Sequence, residues 1–382
     1  MEKIKDLKWY QNRVKVLIKK NQNCPVQKSK EWFSARNLRI TASEASCCLP
    51  KIQDVCEIYE KLFNVNIKYD INKCLSSYDS KEDYIINKCR TFYGENLFID
   101  NIYTLHGKKY EEISARLYRI IYNTQVIEFG LLPHSKLQYL GASPDGITPN
   151  GIMLEIKNPN KMYCIPSPTY FTQMQIQMET ADLDQCDFLV CQVKELNSKE
   201  EYMNIILDES PQETIDVSAF KQYKGIILNK IHEENNSTTK YIYPPDVLVT
   251  VTEFVNWSNN IIKEYKQQNI TVVPIYYIIT EWNVIRIKRE KEWFNSIKHY
   301  FKETMDFIRK LQNDKQLFDN HWNSIKIIRN QKFVEKYNNT ICLIDDENLN
   351  DEFIVQHESL DMSDGSIELD TTNMNICLIT DD

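Results

Sequence analysis

Apolar side chains follow different patterns in different segments of the chain, some with helical spacing and some in short continuous runs. Residues 104–122 place them three and four positions apart, which predicts an α-helix, and further helices are predicted at 168–181 and 291–330. Gly151–Lys157 is predicted to be a strand, and Cys186–Val193, which is almost continuously apolar, is predicted to be a buried strand. The mixture of long helices and strands indicates an α/β fold.

The second half of the chain has weaker patterns. Residues 209–262 match nothing that we recognise and are predicted to be a helical insertion. Val272–Ile279 and Val284–Ile287 predict a late hairpin that turns at Glu281–Asn283. Three shorter strands complete the prediction, the last of them at a sheet edge: Gln125–Leu132, Leu137–Ser143 and Tyr202–Leu207.

Two acidic motifs lie close together in the middle of the chain: Ser143-Pro144-Asp145-Gly146 and Leu154-Glu155-Ile156-Lys157. A turn between them would let Asp145 end one strand while Glu155 and Lys157 lie on the next. Side chains two apart on a strand share a face, so two carboxylates and an ammonium would converge. Neighbouring carboxylates repel each other unless a cation binds them, and oxygen ligands favour Mg²⁺ or Mn²⁺.

This acidic pattern also has an ordinary structural explanation. Pro-Asp-Gly is a common turn sequence, and Glu-x-Lys is common on the exposed face of a strand. With a divalent cation, however, the same groups could hydrolyse a phosphodiester, and the lysine would bind an anion or a water molecule. The neighbouring segments favour the second interpretation.

Three further segments accompany the acidic motifs: Glu31–Arg36 leading into Arg39–Glu44, then His106–Glu112, and then Tyr170–Met178. In this order and with these spacings, they resemble the YqaJ-like viral recombinase family. Its best-known type is the phage lambda exonuclease, within the PD-(D/E)-x-K nuclease superfamily. The resemblance covers about residues 30–195, and the motifs are specific only when they are taken together.

The resemblance implies a restriction-endonuclease-like core, in which a central mixed β-sheet is flanked by helices. Asp145 and Glu155 would bind the metal together with the backbone carbonyl of Ile156. Glu111 would hold the metal from a helix, directly or through water. Glu112 is its rival, but the Gly-x-x-Tyr-Glu spacing favours Glu111, and the two adjacent side chains point about 100° apart.

The same resemblance implies roles for other polar residues. Lys157 would activate the attacking water and stabilise the phosphate, and Gln173 would bracket the site from the next helix. Arg36, Thr41 and Ser43 would hold a DNA phosphate, in this family often the 5′ end. These residues also have ordinary structural explanations. Arg36 and Gln173 could simply lie on solvent-exposed helix faces, and Thr41 or Ser43 could be a helix N-cap.

Composition excludes several classes of function. The chain has 8 glycines and no G-x-x-x-x-G-K-[ST] sequence, so no ATP-driven motor is expected. Its 11 cysteines form no C-x-x-C pair, which argues against a zinc site and indicates thiols in a reducing compartment. No signal peptide or membrane-spanning run is predicted, so we expect a protein of the cytoplasm or nucleus of a host cell, at a site of viral replication, that is not secreted.

Charge is divided unequally along the chain. The net charge is −8, but residues 337–382 hold 12 acidic groups and no Lys or Arg. The preceding 336 residues therefore carry 46 basic and 42 acidic groups, a net charge of +4. A mildly basic body suits DNA, and exposed charges in the tail act only locally at cellular salt.

We expect three regions: a helical N-terminal arm of residues 1–30, a nuclease domain of residues 31–336 with a core at 31–208 and 271–330 around the insertion, and a disordered acidic tail of residues 337–382. Within the tail, Ile341–Asp346 and Ile376–Asp382 resemble SUMO-interacting motifs, in which a short apolar strand precedes acids. Two alternatives are a tail that is disordered and nothing more, and one that mimics DNA and covers the groove.

The sequence therefore predicts a metal-dependent deoxyribonuclease that uses Mg²⁺, or Mn²⁺ as a substitute. The favoured activity is that of a 5′–3′ exonuclease on duplex DNA, acting in viral-type recombination, repair or replication. The expected partners are duplex DNA with free ends, two further copies of the chain in a homotrimer, and a single-strand annealing protein. A structure-specific endonuclease, a nuclease acting on RNA and a non-catalytic DNA-binding scaffold are the alternatives, since one fold serves many functions.

Overall fold

The computed structural model describes residues 5–49, 52–64, 80–95, 102–205, 223–231, 240–248 and 250–341. The chain divides into two units, Met1–Trp322 and Asn323–Asp382. The first unit contains the sheets and almost all the helices, and the described part of the second is the remainder of the C-terminal helix.

Ten α-helices and one 3-10 helix are present in the described residues. They are α1 (Leu7–Asn21), α2 (Lys30–Asn37), the 3-10 helix (Ala42–Cys48), α3 (Ile52–Phe63), α4 (Lys81–Phe92), α5 (Ile102–Ile121), α6 (Pro168–Ala181), α7 (Lys199–Asn204), α8 (Val251–Gln267), α9 (Lys291–Asn313) and α10 (Lys315–Ile341). Helix α1 comes from the predicted N-terminal arm and belongs to the first unit, whose apolar core includes its residues Val14 and Leu17. Just before this helix, Lys5 forms an ion pair with Asp184.

Within the described ranges, nine strands form two sheets. They are β1 (Ile40–Thr41), β2 (Leu132–Pro133), β3 (Leu140–Ala142), β4 (Gly146–Ile147), β5 (Ile152–Lys157), β6 (Gln185–Leu196), β7 (Tyr223–Ile231), β8 (Lys240–Ile242) and β9 (Thr271–Lys288). The small sheet has the order β1-β3-β2, and the large one β4-β5-β6-β9-β7-β8. Only β5 and β6 are parallel within the large sheet, which is therefore mixed as predicted.

The large sheet separates two apolar layers. On β5 and β6, Met153 and Phe188 face a layer that contains α1, α4, α6 and α9, whereas Leu154 and Leu189 face a layer that contains α5 and α8. Burial on both faces explains why β6 is almost continuously apolar in sequence. The predicted α/β architecture, a central mixed sheet flanked by helices, is confirmed.

Helix α6 has well-defined ends that set its position beside β5. The hydroxyl of Ser167 accepts a hydrogen bond from the Tyr170 amide, and Pro168 occupies the first turn, where its missing N–H costs nothing. At the other end, Asp182 adopts a left-handed conformation with φ of 51° and stops the helix. Gln173 and Gln177 of α6 therefore face the acidic strand β5 in one register.

The predicted late hairpin is wrong. Residues 271–288 form one continuous strand, β9, which pairs with β7 from Thr271 to Ile279 and with β6 from Tyr276 to Lys288. The β6–β9 ladder is interrupted where Val193 pairs with Ile279 and Gln192 pairs with Glu281, so Thr280 is a bulge. A bulge bends a strand without reversing it, and Glu281–Asn283 lacks the glycine that a tight hairpin turn favours.

Two other secondary-structure predictions need correction. The insertion at 209–262 is not purely helical, because it contributes strand β7, in which Ile226, Ile227 and Leu228 are buried; α8 is helical as predicted. A short apolar run of this kind cannot be assigned to strand or helix by its period alone. The first part of the edge strand predicted at Tyr202–Leu207 is instead the end of helix α7 (Lys199–Asn204), which Ser198 caps, and residues 206–207 lie outside the described residues.

The C-terminal region also differs from its prediction. The single closing helix expected at 291–330 is two helices, α9 and α10, and the second continues to Ile341, so residues 337–341 are helical rather than disordered. The remainder of the acidic tail lies outside the described residues, including almost all of Ile341–Asp346 and the whole of Ile376–Asp382. Among the residues that the structure describes, no helix is long and apolar enough to cross a membrane.

Candidate active site

A cavity of about 460 Å³ opens at the carboxyl end of β5. Its wall is built from the first half of α5, the loop before β4, the end of β5 with the segment that follows, and α6. It includes every residue predicted to bind metal or to act in catalysis: Glu111, Asp145, Glu155, Ile156, Lys157 and Gln173. The structure thus brings together side chains that are up to 62 positions apart in sequence, from Glu111 to Gln173.

Asp145 is fixed to β5 through the backbone. Strands β4 and β5 are antiparallel, and Gly146 pairs with Leu154. This register places Asp145 beside Glu155, and the amide of Ile156 donates a hydrogen bond of 2.7 Å to Oδ2 of Asp145. The sequence spacing of the two motifs therefore corresponds to a close contact in space.

Glu155 is buried, with its side chain 1% exposed, and both of its oxygens have partners. Oε1 accepts from the ammonium of Lys157 at 2.5 Å and from Nε2 of Gln173 at 2.7 Å. Oε2 accepts from Nε2 of Gln177 at 2.7 Å. These donors satisfy a carboxylate that would otherwise be costly to bury.

Lys157 lies between acids and an aromatic ring. Its ammonium is 4.5 Å from the centre of the Tyr170 ring, a cation–π distance. Burial alone would lower the pKa of Lys157, but the carboxylates of Glu155 and Asp145 raise it above its usual range. The lysine is therefore a fixed positive charge at neutral pH.

Negative charge is in excess where the acids meet. Burial raises the pKa of Asp145 well above its usual value, and the charges of Glu155 and Glu111 raise it further. The pKa of Glu111 is also raised, again first by burial, although the ammonium of Lys28 lies 3.8 Å away. A site of this kind gains stability when a proton or a cation is added.

The oxygen-rich composition of the site suits a hard divalent cation, with Asp145, Glu155 and Glu111 as the acidic donors. Across the described ranges, no three His, Cys, Asp or Glu side chains stand close enough to form a ready-made metal cage. Mg²⁺ is usually bound by only one or two carboxylates and keeps several water ligands, so the Ile156 carbonyl and water could fill its remaining positions.

Glu111 and Glu112 have different surroundings. Glu111 lines the cavity, whereas Glu112 accepts a hydrogen bond of 2.6 Å from Arg119, one of three contacts that Arg119 makes with acids. The two side chains leave the helix in different directions, as expected for neighbours on α5. Only Glu111 is placed to act in the cavity.

The residues predicted to bind phosphate form a second cluster. Nη2 of Arg36 lies 3.4 Å from the hydroxyl of Ser43, which is 3.4 Å from the hydroxyl of Thr41. The guanidinium lies 4.5 Å from the centre of the Trp32 ring, and the indole N–H donates to Ser143 at 3.0 Å. Through Ser143, two residues before Asp145, this cluster is joined to the acidic motif.

Two residues at these clusters were not predicted. Gln177 holds Glu155, and its four-residue spacing from Gln173 on one helix face is the signal that could have identified it. Lys88, on α4, forms a 2.8 Å ion pair with Glu44 beside Arg36. No local pattern marks Lys88, because its partner lies 44 positions away.

Comparisons with known proteins agree with the motifs. The family model of the YqaJ-like viral recombinase domain matches residues 31–184, which confirms the resemblance seen in the sequence. An uncharacterized protein of Acanthamoeba polyphaga mimivirus is 26% identical over 337 residues, which are 81% of this chain and 56% of that protein. The chain therefore spans little more than half the length of this curated relative.

The solved structures similar to the chain include exonucleases. One is LHK-Exo, an alkaline exonuclease from Laribacter hongkongensis, with a TM-score of 0.40 and 17% identity over 78% of this chain and 100% of that one. Its complex with dAMP gives the same values. Another is a phage related exonuclease from Haemophilus somnus 129PT, with a TM-score of 0.38 and 13% identity over 72% of this chain and 95% of that one.

Proposed function

We propose that this chain, in which residues 31–184 form a YqaJ-like viral recombinase domain, is a metal-dependent deoxyribonuclease. The observation that carries the proposal is the convergence of Asp145, Glu155 and Lys157 on one cavity at the end of β5. Two carboxylates provide metal ligands, and a lysine held at 2.5 Å from one of them provides a fixed positive charge. This combination suits hydrolysis of a phosphodiester bond.

Mg²⁺ is the proposed cofactor, with Mn²⁺ as a substitute. Asp145 and Glu155 would hold it together with the carbonyl of Ile156, and Glu111 would take part directly or through water. When bound, the ion polarises the phosphate and makes a water molecule a better nucleophile. Glu155 has to exchange at least one of its present partners for the ion. The candidates are Lys157 and Gln173, which line the cavity and both donate to Oε1.

The protein groups have separate tasks in this mechanism. Lys157 orients the attacking water and stabilises the charge that develops on the phosphate, which a preorganised ammonium does better than solvent. Gln177 keeps Glu155 in place from the buried side, so that the carboxylate does not turn away from the cavity. Gln173 does the same from the cavity side.

The preferred substrate in this proposal is duplex DNA with a free end, digested from 5′ to 3′ in viral-type recombination. The Arg36, Thr41 and Ser43 cluster supports this polarity, because a guanidinium beside two hydroxyls can bind a terminal phosphate. The similarity to a mimivirus protein supports a viral setting. A trimeric ring and a single-strand annealing partner stay predictions.

A nuclease assay tests this function. Linear and covalently closed duplexes with labels at either end are incubated with Mg²⁺ or with EDTA. We expect digestion of the linear duplex only, release of label first from the 5′ end, and no reaction in EDTA. Rapid cutting of closed circles would indicate an endonuclease, and cleavage in EDTA would contradict the metal site.

A further inference from the structure

Glu44 stands where a negative charge should weaken phosphate binding. Its side chain is 14% exposed, and its Oε1 lies 3.3 Å from Nη2 of Arg36. The same nitrogen contacts Ser43, so the acid lies directly beside the phosphate-binding cluster. A carboxylate in this position repels an incoming phosphate and competes with it for the guanidinium.

Lys88 offsets this charge from the protein interior. Its side chain is 4% exposed, and its ammonium lies 2.8 Å from Oε2 of Glu44. Arg36 is more exposed, at 22%, and its contact with Glu44 is longer. The lysine is therefore the closer partner, and the arginine is held more loosely at the solvent side.

Glu44 has a structural task that explains why an acid is present. Its Oε2 accepts a hydrogen bond of 3.2 Å from the amide of Thr41, in a capping box that begins the 3-10 helix carrying Ser43. Although burial opposes ionisation, Lys88 and Arg36 lower the pKa of Glu44 to about 2. The carboxylate is thus ionised at neutral pH, and its charge has to be balanced.

We propose that Lys88 is a positioning residue for phosphate recognition, which neutralises Glu44 so that Arg36 stays available to a phosphate monoester at a DNA end. Arg36, Glu44 and Lys88 together carry one net positive charge, located on the exposed guanidinium. Without Lys88, Arg36 becomes the counter-ion of Glu44, and the cluster carries no net charge. This inference rests on the proposed phosphate-binding role of Arg36.

The test compares binding of duplex oligonucleotides with a 5′-phosphate or a 5′-hydroxyl end, measured by fluorescence anisotropy in EDTA so that no cleavage occurs. We expect the wild-type protein to bind the phosphorylated end about tenfold more tightly, as for a charge-assisted hydrogen bond. Lys88→Met and Arg36→Ala should each reduce this ratio to about one.

A double variant separates charge balance from packing. Glu44→Gln combined with Lys88→Met removes both buried charges, while the amide oxygen can still accept from Thr41. We expect it to regain most of the preference for phosphate, because Arg36 then has no acid to neutralise. Lys224→Met is the matched control, since Lys224 is also buried but its ammonium bonds to the carbonyls of Tyr202 and Ile205. It should keep the wild-type ratio.

Several outcomes would overturn the inference: an unchanged ratio in folded Lys88→Met, or a folded double variant that does not regain the preference. If Lys88→Met does not fold, Glu44→Gln and the double variant still test the inference. Both should keep the preference for the 5′-phosphate end at or near the wild-type level, and loss of that preference in either folded variant would overturn the inference. A protein that cleaves DNA but binds both ends equally would overturn this inference and leave the nuclease proposal intact. A protein that prefers phosphorylated ends but cleaves no DNA would overturn the nuclease proposal and leave this inference intact.

Discussion

The backbone amide of Ile156 donates a hydrogen bond of 2.7 Å to Oδ2 of Asp145. This contact joins the two acidic motifs across the β4–β5 pair, in which Gly146 is opposite Leu154. The proposed metal ligand Asp145 and the residue whose carbonyl completes the site therefore move as one unit. Glu155 precedes Ile156 on β5 and Asp145 precedes β4, so the β4–β5 hairpin positions three of the proposed ligands.

The first prediction concerns the acidic ligands. Asp145→Asn and Glu155→Gln should each reduce the rate of Mg²⁺-dependent cleavage by at least about 10²-fold, the scale seen when one preorganised electrostatic contact is lost. Rates on a linear duplex measure the effect, and circular dichroism checks the fold. Glu111→Gln should also slow cleavage, whereas its neighbour Glu112→Gln is the control and should not. Near-normal activity of Glu155→Gln would contradict the assignment.

The second prediction concerns Gln177, which holds the buried oxygen of Glu155. Gln177→Leu leaves Oε2 of Glu155 without this donor, while Oε1 keeps its partners, and a buried acceptor left unsatisfied costs about 1–3 kcal/mol. We expect a loss of that size in the free energy of unfolding, measured by urea denaturation in EDTA. Gln11→Leu removes an exposed hydrogen bond to Asn150 and should change stability by less than about 0.5 kcal/mol. Equal effects of the two variants would show that Gln177 does not hold Glu155.

The third prediction links metal binding to pH. Because burial and the neighbouring Glu155 raise the pKa of Asp145, metal-free protein keeps a proton on the site at pH values where a free aspartate has lost it. A divalent cation has to displace that proton, so metal affinity should rise with pH up to the pKa of Asp145. Calorimetric titration in buffers of different ionisation enthalpy measures the proton release. A metal affinity that does not rise with pH above the range in which a free aspartate titrates would contradict the prediction.

The fourth prediction concerns Gly146, which follows Asp145. A Cβ at this position would lie 2.1 Å from Cγ1 of Val126, far inside contact distance. Gly146→Ala should therefore cost about 1–3 kcal/mol of stability and displace Asp145. Gly107→Ala is the control, because no atom lies within 4 Å of its added Cβ, and alanine is the better helix residue on α5. Thermal unfolding should show a lower midpoint for the first variant and an unchanged or higher one for the second.

Local sequence was enough to predict the centre of the site. Glu155 and Lys157 share a face because they are two apart on a strand, and Asp145 reaches them because a short turn connects the strands. Helical geometry showed that Glu111 and Glu112 could not both face the site, and the Gly-x-x-Tyr-Glu spacing favoured Glu111, which lines the cavity. Each of these relationships spans only a few residues, so backbone geometry determines it without knowledge of the remaining chain.

Pairing between strands was decided only by the tertiary structure. Residues 271–288 contain two apolar runs, and nothing local reveals that β6 runs beside both and keeps them in one bulged strand. Strand β7 is likewise defined by its place next to β9 rather than by its own pattern. A β-strand is stabilised by partners distant in sequence, so its length and its neighbours depend on the assembled sheet.

The sequence by itself determined the α/β class, the family motifs and the acids that converge at the end of β5. The tertiary structure alone decided which buried charges are paired. Gln177 and Lys88 reach Glu155 and Glu44 across 22 and 44 positions, and although Gln177 shares a helix face with Gln173, no local pattern shows which acid either residue meets. The reason is physical: an ion or amide is tolerated in the interior only where a partner meets it, and the packing of separate elements decides where they meet.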